Sequence, residues 1–410
     1  MTPQIDVRSC TFADWPAFIE ALDAGFSSEM PQGVRDHLQQ LIEPSRLLVA
    51  TEGDAVVATA SSIPFEMTVP GGELPTGGLS TVAVRPTHRR QGILRQIMRR
   101  HLDDSRARGE PLSVLWASEP TIYQRFGYGI GSFRARIEVV RGQSLPVRPV
   151  EAVGRTRMVT VDEALELLPD IYERARRSIP GSFRRSPFWW RERKLFDGEF
   201  ARHGGSQMFR VVLEIDGRPE GFAMYRMHAS WGQDGRRGSW VEAIEVLGTT
   251  PAAMRAIWDY LFGVDLAVSV RSRNLCHDHP LLFSVLDPRE LQMRLTDGLW
   301  VRVVDVEAAL TARTYGISDI LTFELSDLFC PWNDGVWTLE AGTEGAQLRR
   351  ATAPPDLRLT AAELSAMYLG GVACTSLWRA GRVEEMVPGS AHRADLLFRS
   401  DVPPWCLDDF

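Results

Sequence analysis

At 410 residues the chain is longer than one hydrophobic core can serve, so two or three domains are expected. Its 44% hydrophobic and 24% charged residues, with 34 glycines and 25 prolines, exclude a collagenous or mostly disordered chain. A net charge of -7 argues against a protein whose main work is gripping a nucleic-acid backbone, and no nucleic-acid partner is expected.

From the start to residue 142, helical and strand-like segments alternate. Asp14 to Leu22 carries apolar residues at helical spacing, Arg46 to Ala50 and Ala55 to Pro64 read as strands, and Val69 to Leu74 contains a Pro-Gly-Gly turn. Gly78 to Val84 is an apolar strand, and Arg85 to Arg95 leads into a helix that runs to about Arg108. A strand at Leu112 to Ala117, a short helix at Pro120 to Phe126 and a last strand at Phe133 to Val140 complete a mixed α/β domain. The proline-bearing stretch 143–150 reads as a linker, which sets the expected domains at 1–150, 151–292 and 293–410.

The second block opens with a helix at Val161 to Arg177 and the hydrophobic anchor Phe188-Trp189-Trp190. Strands follow at Phe209 to Ile215, Gly221 to Met227 and Ser239 to Leu247, and then a helix from Ala252 to Phe262. This repeats the strand-turn-helix order of residues 78 to 105 and points to a divergent internal duplication. From about residue 293 a third, α+β domain is expected. It has strands at Gly298 to Val304, Asp319 to Ser326 and Gly335 to Ala341, and helices at Asp305 to Ala312 and Thr360 to Leu369.

The N-terminus has no basic region followed by an apolar core, and no apolar run reaches the length that spans a bilayer. The five cysteines are scattered and lack CxxC spacing, so neither a disulfide framework nor a zinc site is implied and a reducing cytoplasm is the expected compartment. His277-Asp278-His279 lacks a fourth ligand at recognisable spacing, and no metal is expected.

Chemistry concentrates in Val82-Ala83-Val84-Arg85-Pro86-Thr87-His88-Arg89-Arg90-Gln91-Gly92-Ile93-Leu94-Arg95. Taken as a charge run alone, the arginines are the solvated face of an amphipathic helix. The preceding strand and the glycine favour another reading, a helix N-terminus whose unpaired N–H groups and dipole attract a phosphate. The Walker A and GxGxxG spacings are both absent.

Arg89-Arg90-Gln91-Gly92-Ile93-Leu94 after a Val-Ala-Val strand resembles the pyrophosphate loop of the GCN5-related N-acetyltransferases, with Leu94 in place of the usual small residue. Ile122-Tyr123-Gln124-Arg125-Phe126-Gly127-Tyr128 resembles the same family's Tyr-x-x-Phe-Gly-Phe segment. Over essentially its whole length the chain is similar to one branch, the Eis (enhanced intracellular survival) acetyltransferases of actinobacteria. That resemblance implies an acetyltransferase domain that binds acetyl-CoA, a degenerate second one and a C-terminal domain like a sterol carrier protein. It also implies a homohexamer and the acetylation of amines, notably several positions of aminoglycosides and the lysine side chains of peptides or proteins. Val82, Ala83, Val84, Arg89, Arg90, Gln91, Gly92, Ile93, Leu94, Arg95 and Ser118 are then the coenzyme contacts. Tyr123 becomes the general acid, and the terminal carboxylate of Phe410 becomes the base.

The second copy, Gly248-Thr249-Thr250-Pro251, offers no arginine cluster, so one active site per chain is expected. Asp23 and Asp409 are candidates for an acidic field that attracts polycationic amines, with ordinary surface carboxylates as the plainer reading. Trp405 is a candidate pocket wall, with core packing as the plainer reading. The rival function is a lipid- or sterol-binding protein with a vestigial acetyltransferase domain.

Overall fold

In the computed structural model, residues 5–143, 146–148, 153–231 and 238–410 are described. The expected boundary at residue 150 falls outside them. The chain divides into two compact units. One comprises Met1–Ser132, Gly298–Pro404 and Asp408–Phe410, and the other Phe133–Asp297 and Trp405–Leu407.

The first unit holds a seven-stranded sheet in the order Ile5–Ser9, Leu47–Glu52, Ala55–Val69, Gly72–Val84, Leu112–Trp116, Leu299–Val303, Gly129–Ile130. Its strand Leu47–Glu52 is buried on both faces, which explains an unbroken Leu-Leu-Val-Ala run instead of alternation. Leu47 and Val49 pack with Phe18, Ile19 and Leu22 of helix Trp15–Phe26, while Leu48 and Ala50 pack with Ile93, Ile97, Met98 and Leu102 of helix Ile93–Ala107. The two helices therefore cover opposite faces of the sheet. The same unit carries a five-stranded sheet built on Asp319–Ser326, Gly335–Gly342, Gly345–Arg350, Leu357–Thr360 and Glu384–Glu385.

The second unit repeats the first sheet strand for strand: Arg155–Met158, Phe209–Ile215, Arg218–His228, Trp240–Gly248, Ser269–Cys276, Phe133–Val140, Arg294–Asp297. Two expectations are corrected here. Phe133–Val140, read as the last strand of the first domain, pairs antiparallel with Ser269–Cys276 in the second sheet. Leu299–Val303, read as the opening of the third domain, pairs antiparallel with Leu112–Trp116 in the first. Each sheet thus receives its sixth strand from the segment that follows the other. Periodicity marks a strand but not its partner, and the habit of pairing sequential strands misplaces both. The sequence reading also passed over Ile5–Ser9, helix Gln32–Leu41, Arg155–Met158 and Ser269–Cys276. Among the described residues no helix is long and apolar enough to cross a membrane.

Candidate active site

Strands Gly72–Val84 and Leu112–Trp116 run parallel and pair only over Thr76–Gly78 against Leu112–Val114. Beyond Gly78 they part and leave a wedge. On the wedge side, Gly72–Val84 carries a bulge, because Ser80 faces Ser61 and Ala83 faces Thr59, so Thr81 and Val82 together oppose Ala60. Thr81 takes φ +51°, a left-handed conformation that costs a non-glycine residue about 1–2 kcal/mol. Two hydrogen bonds fix it there: Thr59 Oγ1 donates to the Thr81 carbonyl at 2.8 Å, and Thr81 Oγ1 donates to Ser61 Oγ at 2.9 Å. The bulge turns the backbone of Val82 out of the ladder. Val82 and Val84 are half-buried, whereas Ala83 packs so closely on Gly25 that a Cβ there would lie 2.6 Å from the Ala83 Cβ. Ala83 therefore offers its backbone alone.

The loop after Val84 divides the predicted arginines by role. Arg85 donates to the Val56 carbonyl at 2.8 Å and pairs with Glu20, and Arg89 donates to the Gly25 carbonyl at 2.6 Å, so both tie the loop to the domain. Arg90, Gln91, Gly92 and Arg95 are exposed, Leu94 is half-buried and the Ile93 side chain is buried in the core. Arg90 at φ +65° and Gly92 at φ +83° turn successive amides into a concave nest just ahead of the helix. Gly92 accepts the first helical hydrogen bond, from the Gln96 amide at 3.2 Å, and the amides of the first turn have no partner within the helix. A Cβ built on Gly92 meets nothing within 4 Å, so the chain leaves the turn uncovered at that point, and the unpartnered amides suit an anionic group. The helix's remaining arginines are not simply solvated. Arg99 donates to the Phe329 carbonyl and lies 4.3 Å from the centre of that ring, and Arg106 lies 4.5 Å from the ring of Trp332.

Tyr123 lies between two short turns, Pro120–Ile122 and Gln124–Phe126, buried in the core under helix Ile93–Ala107. Burial, and then the charge of Glu119, push its phenol up to about 12. Its ring meets Tyr128 edge-on at 6.0 Å. Tyr128 in turn is hydrogen-bonded to Ser113 at 2.7 Å, and Ser113 to His101 at 2.8 Å, a buried polar chain that the sequence reading missed. Burial, with the charges of Arg108 and Arg46, lowers His101 to about 3 and keeps it neutral. Gly127 closes this turn at φ +83°, and a Cβ on it would stand 2.6 Å from the guanidinium carbon of Arg302. Arg302 is fully buried and held by Asp327 at 2.7 Å. Ser118 is exposed just past the end of Leu112–Trp116.

The end of the chain reaches the wedge of this unit. The Trp116 indole donates to the Asp408 carbonyl at 3.0 Å, and the Phe410 ring packs on Phe65 at 5.0 Å. A Cβ on Gly78, the last paired residue, would come 3.1 Å from the Phe410 ring. Phe410 is half-buried and Asp409 is exposed.

The two other substrate candidates have partners of their own. Trp405 lies in the core of the second unit, where its indole donates to Asn274 at 3.0 Å. Asp23 joins helix Trp15–Phe26 to the next helix by accepting from the Met30 amide at 3.1 Å and from Arg35 at 2.9 Å, so its charge is matched locally.

In the second unit, Trp240–Gly248 and Ser269–Cys276 also part, after Ala243 and Ser272, and Ile244 sits in a bulge against Met224 and Tyr225. The helix that follows starts in a different way. Thr250 caps it by accepting from the Ala253 amide at 3.1 Å, and a Cβ on Gly248 would strike the Met254 amide at 2.4 Å. Along Cys276-His277-Asp278-His279, Cys276 Sγ donates to Asp278 at 2.9 Å and His277 stands near them, while His279 is buried against the Trp258 ring.

Comparison with known proteins agrees with this architecture. Residues 6–131 and 181–303 match models of the acetyltransferase (GNAT) domain, and residues 306–407 match the sterol carrier protein domain. An uncharacterized N-acetyltransferase of Streptomyces avermitilis is 40% identical over 409 residues, covering 99% of each chain. The N-acetyltransferase Eis of Mycobacterium tuberculosis is 30% identical over 97% of this chain and 98% of that protein. Among solved structures, Eis1 from Mycobacterium abscessus superposes with a TM-score of 0.85 at 31% identity, covering 99% of this chain and all of that one. The chain belongs to the Eis family of GCN5-related N-acetyltransferases, with tandem acetyltransferase folds followed by a sterol-carrier-like domain.

Proposed function

We propose that this N-acetyltransferase transfers acetyl groups from acetyl-CoA to the amines of aminoglycosides, at more than one position, and to lysine side chains of peptides or proteins. The observation that carries this reading is Phe410, whose ring packs on Phe65 and lies next to Gly78, the last residue at which the two parallel strands of the first sheet pair. Acetyl-CoA, when bound, supplies the acetyl group as a thioester. The amides of Gly92, Ile93, Leu94 and Arg95, with the exposed side chains of Arg90, Gln91 and Arg95, hold its pyrophosphate. Val82 and Val84 flank the wedge on one side and Ser118 on the other. The bulged backbone donates to the oxygen that gains charge during transfer. Tyr123, a phenol at about 12, stays protonated throughout the working range and gives its proton to the departing sulfur. The Phe410 carboxylate takes the proton of the attacking amine. Exposed Asp409 adds to the field that draws polycationic amines.

Five free cysteines support a reducing cytoplasm as the place of work. Assembly as a homohexamer follows the family resemblance, and the exposed Phe283 and Leu286 of the second unit are apolar surface that a subunit contact would cover. The lipid-binding rival is disfavoured. A groove of about 960 Å³ in the sterol-carrier-like domain is open to solvent and carries Asp319, Glu340, Glu344 and Arg393 beside Ile320 and Ala341, a mixed lining that does not itself favour an acyl chain. Mass spectrometry of aminoglycosides, polyamines and lysine-containing peptides incubated with acetyl-CoA tests the reading. Multiply acetylated aminoglycosides are expected, and coenzyme binding with no acetylated amine in the panel would overturn it.

A further inference from the structure

The second sheet repeats the bulge and the parting strands of the first, yet no cradle opens at its helix. What occupies its wedge is the chain itself. Trp405 and Leu407 pack with Ile244 and Leu247 of one parting strand and Cys276 of the other. Asn274, on the irregular stretch of Ser269–Cys276, holds this segment twice: its amide donates to the Cys406 carbonyl at 2.9 Å and its carbonyl accepts from the Trp405 indole at 3.0 Å. The Trp405 amide donates to the Pro180 carbonyl at 2.8 Å. Lys194, the one lysine in the chain, donates to the Leu407 carbonyl at 3.0 Å. Its ammonium lies 2.6 Å from Glu245, which Arg185 also grips with both of its terminal nitrogens at 2.8 and 2.9 Å. A lysine in an arginine-rich chain, placed where a compact ammonium must satisfy a backbone carbonyl and a buried carboxylate together, serves a geometry that the planar guanidinium fits poorly.

We infer that the wedge of the degenerate second domain is a receptor for the chain's own Trp405–Leu407, and that Lys194 and Asn274 are positioning residues for the carboxylate three residues downstream, at Phe410. The positioning role rests on the assignment of that carboxylate as the base. The receptor role does not. Ordering the last residues before substrate arrives removes from the reaction the entropy of placing a free tail.

The test uses full-length Lys194→Met and Asn274→Ala. In Lys194→Met, Glu245 keeps its bidentate arginine, and Asn274→Ala removes only the two tail contacts, so at least one variant retains the fold. Hydrogen exchange of the peptide spanning residues 400–410 is expected to quicken about tenfold or more, with peptides of strand Gly72–Val84 unchanged. Turnover is expected to fall about tenfold at a KM for acetyl-CoA changed less than about twofold. That fall should vanish in a chain extended beyond Phe410, where the carboxylate is already displaced. Unchanged exchange overturns the receptor. Faster exchange with full turnover overturns the positioning role. Should the extended chain itself keep full turnover, the base assignment is what fails, and exchange alone still decides the receptor.

Discussion

Gly92 stands at the N-cap of the helix in the first copy and Thr250 at that of the second, and the two starts separate a binding loop from a structural turn. At Gly92, φ +83° demands glycine and a Cβ would meet nothing within 4 Å; in the second copy Thr250 caps the helix with its own side chain, and Gly248, the last residue of the strand before it, lies against Met254. Gly92→Ala should therefore lower stability by only about 1–2 kcal/mol, through backbone strain. It should weaken acetyl-CoA binding about tenfold in calorimetry, because the methyl group projects into the cradle, and an unaltered affinity would show that the cradle lies elsewhere. Tyr123→Phe removes one oxygen from a well-packed ring. We expect kcat to drop by about 10²-fold or more with KM for acetyl-CoA nearly constant, and unchanged turnover would remove the acid role. The loop around Gly92 stands out in the sequence because a strand end, arginines and a glycine lie together, and Tyr123 because its segment resembles the family's. The tie of Arg89 to the Gly25 carbonyl does not, since it joins segments 64 residues apart. A tryptophan near the terminus reads equally as pocket wall or core from sequence, because the partner that holds Trp405, Asn274, lies 131 residues away in the chain.

Helices and strands were legible wherever one periodicity dominates. Val161–Arg176 follows the capping box of Thr160 and Glu163, and Ile93–Ala107 carries its apolar residues on one face. Strand partnership was hidden. Nothing in Phe133–Val140 or Leu299–Val303 records that each joins the other copy's sheet, because the alternation of the first and the short apolar run of the second mark a strand without naming its neighbours. Helix Trp15–Phe26 also reaches the bulged strand by a contact no pattern shows, the approach of Gly25 to Ala83. Gly25→Val adds three carbons where a single Cβ already lies 2.6 Å from its neighbour. We expect about 1–3 kcal/mol of destabilisation in denaturant titration and a larger proportional loss of turnover, since the strand so displaced carries the bulge at Val82. Full stability in this variant would show that the helix slides freely on the sheet.

Across the molecule, two buried neutral histidines tie stability to pH. Burial, chiefly, lowers His101 to about 3 and His279 to about 4, from ordinary values of 6.5. Between these limits the unfolded chain binds protons that the folded chain refuses. Stability is therefore whole above pH 6.5 and falls as the medium is acidified toward the folded values, by up to about 1.4 kcal/mol per pH unit for each histidine. His101→Gln should flatten part of this slope in denaturation curves taken between pH 4 and 7, and an unchanged slope would place the titration elsewhere. At the same scale, the two sheets use one device for two ends: a pair of parting strands that opens on an anion cradle in the first and is filled by Trp405–Leu407 in the second.

The most direct test is the initial rate of thiol release from acetyl-CoA with an aminoglycoside acceptor, by the chain ending at Phe410 and by one extended by a single glycine. We predict rapid release by the first and a rate lower by about 10²-fold in the second at similar acetyl-CoA binding. Equal rates would contradict the terminal carboxylate as base, and the absence of both release and coenzyme binding in the unextended chain would contradict the account as a whole.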